Sequence, residues 1–144
     1  MAAAESCTGG LVGHVITQVP KSSDHFLGGI VSYSDAVKEE LLSVPGELLR
    51  QVGAVSAEVA EAMTSGTLDR FPAAHLALAV TGIAGPDGGS EEKPVGLTYV
   101  AAALRDGPAV VERHTWPHDR DGNKRASALA AIELAERVAS EPPA

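Results

Sequence analysis

The chain has 144 residues with 19 acidic against 11 basic side chains, a formal charge of -8 that argues against a general nucleic-acid binder, because a phosphate backbone demands a basic surface. Hydrophobic residues make up 44% without any apolar run of ~18 residues, which describes one folded domain that spans no membrane but leaves room for a small anion held by a few local cations. A single cysteine excludes an internal disulfide framework, and with no basic-then-apolar leader at the start it points to the cytoplasm.

In chain order, residues 1–5 read as the stub of a strand, barely the ~5 residues a strand needs. Residues 10–19 read as a helix, with Leu11, Val12, Val15, Ile16 and Val19 at helical spacing and Pro20 as its stop. "FLGGIVSYS" (26–34) is a second strand, followed by a helix from Asp35 to about Leu42. "VPGELLRQVG" makes a short helix opened by Pro45 and closed by Gly53, and Ser56 caps another that runs to about Arg70. "HLALAVTGIAGP" (75–86) is a buried strand that enters a glycine loop. Residues 95–104 and 109–116 pair around "RDGP" as an antiparallel hairpin. A last helix covers about Asp121 to Ala139, and residues 140–144 are expected to be a disordered tail. Strands alternating with helices and ending in a hairpin predict an α/β fold, a mixed sheet packed by helices, in a single domain over residues 1–139.

Four stretches carry chemistry. In "ESCTGG" the strand ends in Ser6, Cys7 and Thr8 and turns through Gly9 and Gly10 into a helix, whose N-terminus favours a phosphate or a developing oxyanion. Ser6 and Thr8 are equally readable as plain helix caps, and Cys7 as a small buried apolar residue. In "YSDAVK", Tyr33 closes a strand and Lys38 stands in the next helix. A lysine neutralised by burial can serve a serine nucleophile as base, although beside Glu39 and Glu40 it also reads as a solvated helix residue. "TGIAGPDGGSEEKPVG" exceeds the usual ~4–6-residue connection, and its glycines suggest a nest of amides for an anion. It fits neither a Walker A loop nor a dinucleotide fingerprint. In "HDRDGNKR", Arg120 could fork onto a phosphate or simply pair with Asp119 or Asp121. His114 and His118 have no second cluster at metal-ligand spacing, so no metal site is expected.

Taken together, "AESCTGG", "YSDAVK", "GAVS", "TGIAGPDGGSEEKPVG" and "HDRDGNKR" occur in an order and spacing that resemble the CinA C-terminal domain family over residues 4 to about 138. Stand-alone members of that family are nicotinamide-nucleotide amidases. The resemblance implies a three-layer α/β/α domain that hydrolyses the carboxamide of nicotinamide mononucleotide (NMN) to nicotinate mononucleotide and ammonia, with no cofactor and no metal. It implies Ser6 as nucleophile, Lys38 as its base, and Tyr33 and Thr8 as their neighbours in the site. It places Gly9, Gly10, Gly82, Ile83, Gly85, Gly88 and Arg120 around the substrate.

Where the sequence departs from that pattern, other expectations follow. Family members carry a helix and a full first strand before the serine motif, whereas this chain starts almost upon it, so the family's N-terminal helix is expected to be missing and self-association to be favoured. His118 stands where glycine is usual, and Lys124 where arginine is, which turns a bidentate contact into a point charge. The partner expected is a small pyridine nucleotide, with neither nucleic acid nor membrane. The alternative is a nucleotide-binding module that keeps the fold without the chemistry.

Overall fold

The computed structural model describes residues 1–141. The elements follow in the expected order: β1 (Ala2–Glu5), α1 (Leu11–Thr17), a single 3-10 turn (Ser22–Asp24), β2 (Gly28–Val31), α2 (Asp35–Leu42), α3 (Gly46–Val52), α4 (Ala57–Arg70), β3 (Leu76–Gly82), β4 (Leu97–Leu104), β5 (Ala109–Thr115) and α5 (Arg120–Ser140). The helix expected over 10–19 is shorter at both ends, and the strand expected over 26–34 contracts to Gly28–Val31 because its partner, β1, has only four residues to pair with it. The last helix begins at Arg120, where the Asp119 side chain accepts from Gly122 N at 2.8 Å. It continues through Ser140, so the expected tail loses its first residue to the helix, and residues 142–144 lie outside the described ones.

The five strands form one mixed sheet in the order β2-β1-β3-β4-β5. β1 runs parallel to both neighbours, pairing Glu5 with Val31 on one side and with Val80 on the other. β3, β4 and β5 form an antiparallel meander. Side-chain alternation then divides the core into two layers. Ala3, Leu78, Val80, Val100 and Ala102 pack against α1 and α5, through Val12, Ala131, Leu134 and Val138. Ala4, Ala79 and Ala101 point the other way, onto Leu42, Leu49, Val59 and Met63 of α2, α3 and α4. The result is the three-layer α/β/α arrangement expected.

Alanine makes up the sheet's own contribution to the second layer, Ala4, Ala79 and Ala101, so the strands add little bulk on that face. The closest approach is between helices. A Cβ at Gly66 of α4 would stand 1.9 Å from the Leu42 carbonyl oxygen that ends α2, a backbone atom with nowhere to go. Gly66→Ala is therefore expected to destabilise the fold by about 2–3 kcal/mol, the scale of overpacking, read as a lower urea midpoint at constant slope.

Candidate active site

Open α/β sheets bind ligands outside the carboxyl ends of parallel strands, where connections diverge to opposite sides. Here the carboxyl ends of β1 and β3 open into a cleft of about 300 Å³, lined by Ser6, Tyr33, Lys38, Gly82, Ile83, Gly85, Gly88 and Arg120. Cys7, Asp35, Thr81 and Asp87 complete much of its wall. A depression of comparable size, about 330 Å³, lies at the other end of β4, but Arg105 there donates to the carbonyls of Leu68, Phe71 and Ala74 and closes the end of α4.

The parallel register brings the centre of the cleft together. Beyond the last β1–β2 pair, Ser32 N donates to Glu5 O at 2.7 Å, while Ser6 N donates to Val80 O at 3.0 Å. Ser6 is thus held beside the chain that leaves β2. Ser34 then caps α2 by accepting from Val37 N at 3.2 Å, and one turn later Lys38 points back under that same chain. Its Nζ lies 2.9 Å from Ser6 Oγ, 2.7 Å from Ser32 O and 3.2 Å from Tyr33 O. Lys38 is 1% exposed, and among the described residues no carboxylate pairs with it. Burial pulls its pKa below the ordinary 10.5, opposed by the nearby charge of Asp35. A neutral lysine has two N–H donors and one lone pair. In that form the carbonyls of Ser32 and Tyr33 would take the donors and leave the lone pair to the Ser6 hydroxyl.

Cys7, next along, takes no such part. Its thiol is buried, and desolvation raises its pKa to about 11, so it stays protonated and packs as a small apolar group. Gly9 N donates to Ser6 O at 3.1 Å, whereas the amides of Cys7 and Thr8 make no hydrogen bond to another described residue. Cys7 lines the cleft directly after the serine, and no other described residue takes its N–H.

The far side of the cleft is built by the glycine loop. Its root is closed by Ile83 N to Leu97 O and Gly96 N to Ile83 O, both 2.8 Å. The Lys93 ammonium ties the loop to the end of α3 by donating to Val52 O. Gly85 has φ +87°, and a Cβ there would also lie 2.4 Å from Val95 Cγ1, so no other residue fits. The amides of Ala84, Gly85, Asp87 and Gly88 have no intramolecular acceptor among the described residues. Arg120 lies across them, donating to Gly85 O at 2.7 Å and to the Tyr33 hydroxyl at 3.4 Å. It does not pair with its neighbouring acids, since Asp119 caps α5 and Asp121 pairs with Arg125 at 2.8 Å.

Thr8, Gly9 and Gly10, expected in the site, do not line the cleft. The reason is Glu5, which the sequence presents only as the end of a strand. Its carboxylate is 3% exposed and accepts from Thr8 Oγ1 at 2.6 Å, Val12 N at 2.8 Å, Gly13 N at 3.1 Å and Gly10 N at 3.2 Å. The helix terminus proposed for an external anion is thereby filled by the chain's own carboxylate, and Thr8 is turned inward to hold it. The signal in the sequence was a lone acid closing a strand of alanines. Lys124 likewise lies near Gly9, away from the cleft.

The sequence model of the CinA C-terminal domain matches residues 1–139. The chain belongs to the CinA C-terminal domain family. A CinA-like protein of Geobacter sulfurreducens is 48% identical over 137 residues, covering 95% of this chain and 33% of its own length. One from Geotalea uraniireducens is 49% identical over 138 residues, 95% and 32% of the two chains. This CinA domain therefore spans about a third of the curated relatives it matches. Among solved structures, the competence/damage inducible protein CihA of Agrobacterium tumefaciens superimposes with a TM-score of 0.92 at 38% identity, over 96% of this chain and 84% of that one. A CinA superfamily protein of Escherichia coli gives 0.89 at 27% identity, over 95% and 78%. No helix among the described residues of the CinA domain is long and apolar enough to cross a membrane.

Removing the Glu5 carboxylate would orphan four buried or half-buried donors at once. Glu5→Ala is expected to lower stability by at least about 3 kcal/mol, with Glu5→Gln intermediate, since each unsatisfied donor costs about 1–3 kcal/mol; thermal unfolding of the three proteins checks the order.

Proposed function

We propose that this CinA domain is an amidohydrolase that converts NMN to nicotinate mononucleotide and ammonia, with Ser6 as nucleophile and Lys38 as general base. The observation that carries the reading is the buried lysine amine 2.9 Å from a serine hydroxyl, its other hydrogen-bonding capacity taken by two carbonyls and its charged form disfavoured by burial.

In the reaction, Ser6 Oγ adds to the carboxamide carbon as its proton passes to Lys38 Nζ. The carbonyl oxygen becomes negative and is met by the Cys7 amide, a class of contact worth about 3–4 kcal/mol per donor. Collapse of the tetrahedral intermediate breaks the C–N bond, and Lys38 returns the proton to the departing nitrogen, which leaves as ammonia. Water then attacks the acyl ester, gives a proton to Lys38, and Ser6 leaves with that proton restored to its oxygen. The carboxylate remains on the nucleotide. The phosphate lies at the other end, against Arg120 and the free amides of the glycine loop, so that binding energy remote from the amide positions it for attack. Tyr33 joins the two ends, its carbonyl on Lys38 and its hydroxyl on Arg120.

Ser6→Ala is expected to lower the rate of ammonia release from NMN at least about a thousandfold, with the folded state retained. Lys38→Met should do the same with the folded state retained, because an apolar chain of similar length fills the space of the buried amine. Undiminished ammonia release by Ser6→Ala would remove the serine from the chemistry, and NMN binding by the parent without ammonia would identify a nucleotide-binding module.

The pH dependence has a definite sign. Lys38 works as the neutral amine and is protonated below its pKa, so kcat/KM should rise with pH. Burial places that ascending limb below the ordinary lysine value of 10.5. Asp35 opposes the shift, so Asp35→Asn should move the limb to still lower pH, measurable as a pH–rate profile of the two proteins.

A further inference from the structure

We propose that Asn123 is the positioning residue of the anion end of the cleft, holding the glycine loop in the conformation that presents its amides. This rests on the reading of the cleft as a nucleotide site. Asn123 is in the first turn of α5, a place usually open to water, yet it is 1% exposed. Its side chain is engaged in two directions. Nδ2 donates to Ala84 O at 2.9 Å, and Oδ1 accepts from His118 N at 3.1 Å. One amide group thus clamps the root of the glycine loop to the segment that leads into α5.

Arg120 lies between His118 and Asn123 in sequence and donates to the carbonyl next after that of Ala84, Gly85 O. Two side chains from a single helical turn therefore hold two consecutive carbonyls of the loop. Peptide planarity makes this consequential: with Ala84 C=O drawn toward α5, the N–H of Gly85 in the same trans peptide must point away from α5. Pro86 follows and has no N–H to compete. Asn123 thus sets the direction of a free amide that lines the cleft, and it sets the backbone from which Arg120 reaches.

Asn123 is itself braced from behind. Its carbonyl accepts from Ser127 Oγ at 2.7 Å, and that hydroxyl is shared with Thr98 Oγ1 at 3.0 Å and Trp116 Nε1 at 3.1 Å. The clamp is connected to the β4–β5 end of the sheet through buried polar contacts, the kind of network whose loss of one member leaves its partners unpaired. A residue with this placement acts on the phosphate end of a ligand and has no contact with Ser6 or Lys38.

The experiment compares binding of NMN and nicotinamide riboside, which lacks the phosphate, by calorimetry in a Ser6→Ala background, where turnover is blocked. Asn123→Leu, of similar volume, should raise the Kd for NMN about tenfold or more while leaving the Kd for the riboside within about twofold. Hydrogen exchange at Ile83 and Gly96, whose amides close the root of the loop, should quicken in the same variant while the rest of β3 and α4 keep their protection. Equal changes for both ligands, or an unaltered Kd and unaltered exchange, would overturn the proposal. If Asn123→Leu does not fold, Asn123→Asp provides the second arm: it keeps an acceptor for His118 N, has no N–H for Ala84 O, and should loosen the loop and weaken NMN alone; wild-type behaviour in both measurements would overturn the proposal equally. A parent protein that binds NMN but releases no ammonia would remove the amidase reading and leave the Asn123 comparison decisive, whereas a Ser6→Ala protein that binds neither ligand would overturn both.

Discussion

The contact between the Lys38 amine and the Ser6 hydroxyl makes demands on almost every other part of the molecule. A lysine side chain removed from water loses its hydration and, with no carboxylate against it, its charged form becomes expensive. It is tolerated because two backbone carbonyls and one hydroxyl meet it at hydrogen-bond distance. Those three oxygens come from the segments that leave two strands, and they converge because β1 and β2 are parallel and in a register that pairs Glu5 with Val31. A slip of one residue would exchange the faces of the strand and separate the serine from the amine. The sheet's role in the site is therefore register, with β3 holding Ser6 from the other side.

A second constraint is the sorting of negative charge. An overall excess of acid is compatible with an anionic ligand only if the local field is arranged separately. One helix terminus, at α1, is filled by Glu5, which fastens the turn after Ser6. The opposite rim carries the unpaired amides of the glycine loop and an arginine committed to no carboxylate. The Ser6–Lys38 pair and the glycine loop are thus placed at different ends of one cleft, and Tyr33 touches both, with its carbonyl on Lys38 and its hydroxyl on Arg120.

Much of the fold was legible in the sequence because its causes are local. Helical spacing of apolar residues, Pro20 and Gly53 as stops, Ser56 as a cap, and the turn at 105–108 each act within a few residues, and the structure reproduces the element order they predict. Ends were less legible: the second strand is as long as its partner allows, a property of the pair. The motif residues Ser6, Lys38 and Arg120 stood out by type and spacing, but what each touches is a matter of long-range packing. Lys38 beside Glu39 and Glu40 has the local look of a solvated residue. Arg120 has acids on both sides, and only the path of α5 aims it at Gly85 instead.

The sequence by itself determined where the strands, helices and glycine loop lie and which side chains are chemically capable, since propensity, periodicity and turn chemistry are encoded within a turn or two of chain. Tertiary structure alone decided that the amine at position 38 is dry, that Glu5 closes α1 and draws Thr8, Gly9 and Gly10 out of the cleft's wall, and that Asn123 belongs to the loop. Burial and hydrogen-bond partnership are properties of surfaces brought together by packing, and no window along the chain contains both surfaces.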